Sequence, residues 1–337
     1  MNAFSFTKQE RFLSQKIPFV GMITVLLLVA VSIMPLAAQG KMAGKKEQMM
    51  KKMMKMLKEK APAKDYVRAH AKEQKPFDLL GGPIRIEISQ KSGGVFVALP
   101  DNRKLDPRIF GTPEAPRAFE GTPGITGVPV MAREVKDGAY TTMKMKSPFG
   151  DKYIVMANGK LSIKAVDATA TDAAVTKDQV QLEASWQDKD GNTYTVKCNK
   201  VAAHGLEFPT FGGVATNLIL HGFTGLGTPL MPSEYTYFAF WGMGMVSKNG
   251  KVLDQPRLVH GMLTEYVRGD GYRLDFDKDV SPGRRQFHLM VAPFKPDMEN
   301  MTYTKSPVKT GFKLPNGMML PFWHVMFENL EINASRQ

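Results

Sequence analysis

Apolar and polar residues alternate with a period of two along most of the chain after Pro83, and this alternation predicts β-strands. Successive side chains of a strand point to opposite faces, so each predicted strand has one apolar face and one mixed face. The predicted strands are Ile84–Ile88, Val95–Leu99, Val128–Val135, Tyr153–Met156, Leu161–Val166, Gln179–Trp186, Asn192–Val201, Val214–His221, Tyr235–Ser247, Arg257–Val267, Tyr272–Phe276, Gln286–Ala292 and Pro321–Ile332.

Turn signals between these strands favour antiparallel pairing. Asn-Gly and Asp-Gly pairs supply the positive φ angles that tight hairpins require. The pairs are Asp137-Gly138, Asn158-Gly159, Asp190-Gly191, Asn249-Gly250, Asp270-Gly271 and Asn316-Gly317. The body is therefore predicted to be all-β, an antiparallel hairpin-rich barrel or sandwich. Alternation alone fits a lipocalin-like barrel and two successive β units equally well.

The composition of the body suggests how it is divided. Residues 100–129 contain six prolines and four glycines. Proline has no amide hydrogen for a strand ladder, so this stretch is predicted to be a long loop. A segment rich in Ala, Thr and Asp follows near residue 170. The sequence thus predicts a first β unit over 77–170 and a second over 171–337.

The first 38 residues have the pattern of an export signal. Lys8, Arg11 and Lys16 precede an apolar run from Phe19 to Met34, and small residues follow it up to Ala38. The segment is also just long enough to be an uncleaved signal anchor. Both alternatives place the body outside the cytoplasm, in the periplasm or secreted.

Positive charge is concentrated before the body. Residues 39–76 contain 12 Lys or Arg and 4 Asp or Glu, and residues 1–38 contain 3 and 1, so only +3 of the total +13 belongs to 77–337. A nearly neutral body argues against a nucleic-acid partner. Within 39–76, methionines and Leu57 form one helical stripe and lysines lie opposite. Such a basic amphipathic tether suits an anionic membrane surface.

Cys198 is the single cysteine, so no disulfide can form within the chain. It shares a predicted strand face with Tyr194 and Val196. We expect a buried, unreactive thiol there.

A repeated chemical pattern occurs in three late strands, each of which carries a histidine with a methionine two residues later. The pairs are His260 with Met262, His288 with Met290, and His324 with Met326. Residues two apart in a strand share a face, so each pair sets an imidazole beside a thioether. Imidazole suits copper, zinc and iron, and thioether favours Cu(I), so these six residues are the candidate metal ligands, with copper as the candidate metal.

The same strands offer the lining of a small-molecule site. His260 and Met262 share the more apolar face of their strand and are expected to point inward, and the faces of His288 and His324 are mixed, as in a partly wet cavity. The candidate ligand-binding residues are Trp241, Met243, Met245, His221 and Tyr266. The competing interpretation is that each histidine is hydrogen-bonded separately in the core.

Several functions remain open. The leading prediction is a non-catalytic extracytoplasmic protein that binds an apolar small molecule or a soft metal ion. The alternatives are an enzyme that uses these histidines as acid–base groups on an apolar substrate, and a structural protein of the cell envelope. Leu218–Gly225 resembles the oxyanion loop of α/β-hydrolases, but the Gly-x-Ser-x-Gly nucleophile motif of that family does not occur in the chain.

Overall fold

The structure is a computed structural model that describes most of the predicted body. The described residues are 83–117, 128–144, 146–147, 149–150, 154–168, 177–202, 213–224, 228–275, 279–292, 294–297, 302–305 and 323–336. The predicted signal segment 1–38 and tether 39–76 lie outside them. No helix among the described residues is both long enough and apolar enough to span a membrane.

Antiparallel strands make up almost all of the regular structure, which confirms the all-β prediction. The strands are β1 (Ile84–Gln90), β2 (Val95–Ala98), β3 (Arg133–Lys136), β4 (Ala139–Met143), β5 (Ile154–Ala157), β6 (Gly159–Asp167), β7 (Gln179–Gln187), β8 (Thr193–Val201), β9 (Val214–Leu220), β10 (Glu234–Lys248), β11 (Lys251–Tyr266), β12 (Ser281–Val291), β13 (Phe294–Asp297), β14 (Thr302–Lys305), β15 (Trp323–Phe327) and β16 (Glu331–Arg336). Short helical elements are α1 (Pro107–Phe110) and the 3-10 turns Val130–Ala132, Gly222–Thr224 and Asp270–Tyr272.

One strongly curled sheet, a half-barrel, contains twelve of these strands. Its order is β16-β1-β6-β7-β8-β10-β11-β12-β15-β2-β5, and β9 pairs with the first part of β10. Three pairs of strands that are consecutive in the chain lie at opposite ends of this order: β1 and β2, β5 and β6, and β15 and β16. The chain therefore passes three times from one end of the sheet to the other, and these passages hold the curl in place.

Glycine and asparagine make two of these passages sterically feasible. Gly93 and Gly94, between β1 and β2, have φ angles of +70° and +53°, and Asn329, between β15 and β16, has +54°. A Cβ atom on Gly94 would lie 2.7 Å from the Cβ atom of Glu328. The side-chain amide of Gln90 links the β1–β2 and β15–β16 connections, because it donates to the carbonyl of Glu328 at 2.8 Å and to that of Gly94 at 3.3 Å.

The strands β11, β12 and β15 are covered on both faces. On one face Val259, Phe287 and Val325 belong to the main core, which they share with side chains of β1, β6, β7 and β8. On the opposite face, Met262 and Met290 belong to a second cluster built from connecting segments. The residues that cover them include Leu105, Phe110, Phe149, Leu230, Met231 and Leu274.

Two of the predicted hairpins show the expected local geometry. Asp137 and Gly138 have φ angles of +52° and +73° between β3 and β4. Asn249 and Gly250 have φ angles of +48° and +79° between β10 and β11. Both turns therefore have positive φ at both central residues, as a type I′ turn requires.

Other turn predictions are wrong in detail. Asn158-Gly159 connects β5 to β6, which do not pair with each other, because each finds its partner at a different end of the sheet. Asp270-Gly271 lies in a 3-10 turn, so the strand predicted from Tyr272 does not begin there. The long strand predicted to end at Ile332 is interrupted at Asn329, whose positive φ turns the chain. Asn316-Gly317 lies outside the described residues.

Strands from both predicted β units alternate in the same sheet. β1 and β2 belong to the interval 77–170, yet they pair with β16 and β15 from the interval 171–337. The sheet pairing therefore shows no division at residue 170. The predicted loop 100–129 contains the one-turn helix α1, which begins after Asp106 where the carboxylate accepts from the Arg108 amide at 2.8 Å.

Candidate functional site

The three strands that carry the His-x-Met pairs are neighbours in the sheet. β12 lies between β11 and β15, and the register places His260 opposite Met290 and Met290 opposite His324. One step along, Met262 lies opposite His288 and His288 opposite Met326. Directly opposed residues share a face and have Cβ atoms about 5 Å apart. Imidazoles and thioethers thus alternate in both directions across one face, and we call these six residues the histidine–methionine layer.

This layer faces away from the main core. Alternation places Val259 and Gly261 on the main-core side, where a Cβ atom on Gly261 would lie 2.3 Å from a ring carbon of Phe240. His260 and Met262 alternate with these two residues along β11, so their side chains point to the opposite face of the sheet. The layer is buried nonetheless, since Met262, His288, His324 and Met326 are 0 % exposed beneath the covering segments.

His288 and His324 are joined in a hydrogen-bonded chain. The Gln286 side-chain amide lies 2.8 Å from His288 Nε2, and His288 Nδ1 lies 3.0 Å from His324 Nε2. If the amide donates to Nε2, then His288 Nδ1 carries the proton and donates to His324 Nε2. The remaining nitrogen, His324 Nδ1, is buried and has no hydrogen-bond partner among the described residues. In this arrangement the two rings stabilise each other and do not direct lone pairs at a common point.

His221 approaches the layer from a different strand. It follows β9 directly, and its Nδ1 atom lies 3.1 Å from the Thr228 carbonyl oxygen, which can only accept, so Nδ1 carries the proton. The other ring nitrogen, Nε2, consequently bears a lone pair, and it lies 3.2 Å from the sulfur of Met262. The carboxylate of Glu234, which is 0 % exposed, lies 3.7 Å from the same nitrogen.

The backbone at His221 is held in an unusual conformation. Its φ angle is +64°, a region that costs a residue other than glycine on the order of 1 kcal/mol or more. Two side chains secure the turn, because Thr224 Oγ1 donates to the His221 carbonyl at 2.8 Å and Ser233 Oγ donates to it at 3.3 Å. This turn directs the imidazole toward Met262.

His260 forms the exposed margin of the layer. Its Nδ1 atom donates to the Phe240 carbonyl at 2.8 Å, so its Nε2 atom also bears a lone pair. The ring stacks on Trp241 with 4.6 Å between centroids. Unlike His288 and His324, His260 is only half-buried.

Burial keeps all four imidazoles neutral. It lowers the pKa of His221 to about 3 and the pKa of His260 to about 4. The pKa values of His288 and His324 are well below 6.5, first because of burial and then because neighbouring positive charges, including that of buried Arg268, oppose protonation. A neutral imidazole is the form that binds a metal ion, so no proton has to be displaced at neutral pH.

The five predicted ligand-binding residues lie in different surroundings. His221 contacts Met262, and Trp241 stacks on His260. Met243 and Met245 line an open groove of about 860 Å³ together with Asn199, Gln255 and Pro256. Tyr266 lies beneath the Arg284 guanidinium, 3.9 Å from its ring centroid, and burial together with a hydrogen bond to Glu328 raises its pKa. The structure does not bring all five into one cavity.

Some site residues were not found from the sequence. Glu234 and Thr228 carry no motif, and they reach His221 only through the path of the chain between β9 and β10. The sequence did indicate a place for Gln286 beside His288, because it lies two residues before His288 and therefore on the same strand face. Among the described residues, no three His, Cys, Asp or Glu side chains form a group suited to a metal ion.

Comparison with known proteins gives no relative for this chain: no protein-family model matches it, and no curated protein or solved structure is significantly similar to it.

Proposed function

We propose that this protein binds a soft metal ion, Cu(I), where His221 meets Met262 of the histidine–methionine layer, with His221 Nε2 and Met262 Sδ as its central ligands and without catalysing a reaction. The observation that carries the proposal is the 3.2 Å separation of these two atoms. Since His221 Nδ1 holds the ring proton, the contact is between a nitrogen lone pair and a sulfur lone pair, and no hydrogen bond joins them.

The separation suits a shared ion. With a metal–nitrogen bond of about 2.05 Å and a metal–sulfur bond of about 2.3 Å, atoms 3.2 Å apart subtend an angle of about 95° at the ion. That angle is acceptable for a first coordination shell.

The chemistry of the donors favours copper among biological metals. Thioether sulfur is a soft ligand that selects Cu(I), whereas calcium and magnesium require oxygen donors. Neutral imidazoles and thioethers together add no charge to the ion. The covering segments exclude water from Met262 and His288, and a dry hydrophobic shell is one of the ways in which a protein controls a metal site.

The proposed setting is extracytoplasmic. It is supported by the basic, apolar and small-residue regions that follow one another within residues 1–38. In this proposal, residues 39–76 associate with an anionic membrane surface and the β body holds the ion in the periplasm or outside the cell.

Competition for Cu(I) tests the proposal. The purified chain, kept without oxygen, is titrated against a Cu(I) chelator of known affinity. We expect one bound ion, with the affinity falling by at least about tenfold in Met262→Leu and in His221→Phe. Met143→Leu is the matched control, because Met143 is buried in the second cluster outside the layer. The proposal is overturned if the wild-type chain takes up no Cu(I), or if Met262→Leu binds as tightly as the wild type while circular dichroism shows an unchanged sheet.

A further inference from the structure

We infer that the groove lined by Met243 and Met245 is the route by which Cu(I) reaches the buried ligands, and that His260 transfers the ion from this groove to Met262 and His221. This inference rests on the proposed function. It concerns how an ion reaches a site whose ligands His221 and Met262 are only 4 % and 0 % exposed.

The groove and the layer lie on the same face of the sheet. Trp241 pairs with His260, so these two side chains share a face. Met243 and Met245 follow Trp241 at alternate positions of β10 and therefore share that face as well. Both methionines are partly exposed, as is His260. The sulfur and nitrogen donors of Met243, Met245 and His260 therefore lie on one face of the sheet, from the groove to the margin of the layer.

Irregular pairing on both sides of β10 accompanies the groove. The register between β10 and β8 shifts at Met243/Gly244, where Asn199 is the extra residue. The register between β10 and β11 shifts between Gly244 and Val246, where Gln255 and Pro256 of β11 lie opposite the single residue Met245 of β10. Asn199, Gln255 and Pro256 all line the groove. Because β-bulges bend strands and disrupt the ladder, they explain why an opening occurs beside the two methionines.

His260 is suited to transfer. Its Nδ1–H is held by the Phe240 carbonyl and its ring by Trp241, so Nε2 is left as the donor with a fixed ring orientation. The next soft donors are Met290, directly opposite on β12, and Met262, two residues along the same strand. These steps are about 5–7 Å long. From Met262 the ion is in contact with His221.

A transfer residue has a kinetic signature that a final ligand lacks. Removing a step from the route slows uptake and release by the same factor, so the dissociation constant, which is their ratio, stays constant. Removing a final ligand weakens the equilibrium affinity. The two roles can therefore be separated in one set of variants.

The test combines stopped-flow transfer of Cu(I) from a defined chelator complex with the equilibrium competition described above, on the full chain. We expect His260→Phe and the double variant Met243→Leu with Met245→Leu to load at least about tenfold more slowly, with a dissociation constant within about twofold of wild type. Met131→Leu is the control, because Met131 is 82 % exposed and lies outside the groove. Added imidazole should restore rapid loading to His260→Ala.

The outcomes distinguish this inference from the proposed function. Loading of His260→Phe at the wild-type rate overturns the route and leaves the binding site intact. A loss of equilibrium affinity in His260→Phe that matches its loss of rate also overturns the route, because it makes His260 a final ligand. A wild-type chain that binds no Cu(I) overturns the proposed function and the route together.

Discussion

The Nε2 atom of His221 lies 3.2 Å from the sulfur of Met262, although the two residues are 41 positions apart in the chain. The contact is made possible by the order of the sheet, in which β10 lies between β9, which ends just before His221, and β11, which carries Met262. A positive φ at His221 then turns the ring toward the sulfur. The candidate site is therefore formed by the path of the chain and not by a local motif.

Cu(I) is expected to stabilise the folded chain through this contact. A ligand that binds only the native state at a concentration 100 times its dissociation constant raises the free energy of unfolding by about 2.7 kcal/mol. Thermal unfolding without oxygen should show a higher midpoint with Cu(I) than without it, and Met262→Leu should show no such increase at the same concentration. An equal increase in both proteins would place the ion elsewhere.

Acid should destabilise the metal-free protein because its histidines are buried as neutral groups. In the unfolded chain imidazoles take up protons near pH 6.5, whereas burial lowers the pKa of His221 to about 3 and that of His260 to about 4 in the folded chain. Between the folded and unfolded pKa values, the unfolded state therefore binds more protons than the folded state. The stability that the histidines contribute is fully present above about pH 6.5 and falls as the pH is lowered toward about 4.

Urea unfolding across this range checks that expectation. The urea concentration at the unfolding midpoint should decrease as the pH is lowered from about 7 to about 5. It should decrease less steeply in His221→Gln, which has lost one of the titrating groups. A midpoint that rises on acidification, or an identical slope in the variant, would contradict the neutral assignment of His221.

Gly261 is required by packing on the main-core face. A Cβ atom at this position would lie 2.3 Å from a ring carbon of Phe240 and 2.5 Å from one of Phe287. Gly261→Ala should therefore lower the free energy of unfolding by about 1–3 kcal/mol, measured by urea denaturation. Val252→Ala on the same strand, where the side chain is 45 % exposed, should change it by less than about 0.5 kcal/mol. Equal effects at the two positions would show that the core can absorb the methyl group.

Cys198 should be unreactive in the native protein. It is buried in the main core with Tyr194 and Val196, and burial raises the pKa of its thiol to about 11. Because the thiolate is the reactive form, alkylation with iodoacetamide near pH 8 should be at least about 100-fold slower in the native chain than in urea. Rates within about tenfold of each other would show that the strand β8 opens readily.

The strands and several turns could be predicted from the sequence because their causes are local. Alternation at β6, β7 and β8 reflects one buried and one solvent-facing side, and Asn249-Gly250 adopts the positive φ angles that only a few residue types tolerate. Prediction failed at Asn158-Gly159 and Asn329 for a different reason. A residue that permits a sharp turn can connect two strands that pair with each other or two strands that pair elsewhere in the sheet. Only the position of the partner strand decides between the two.

At the candidate site, the alternation of side chains along any strand was enough to predict three pairs that each share a strand face: His260 with Met262, His288 with Met290, and His324 with Met326. The sequence could not predict that β12 lies between β11 and β15, that each of these histidines lies opposite a methionine, or that His221 reaches Met262; these relationships come from the folded chain. Register and strand order follow from packing both sheet faces against distant parts of the chain, and local residue patterns do not encode those contacts.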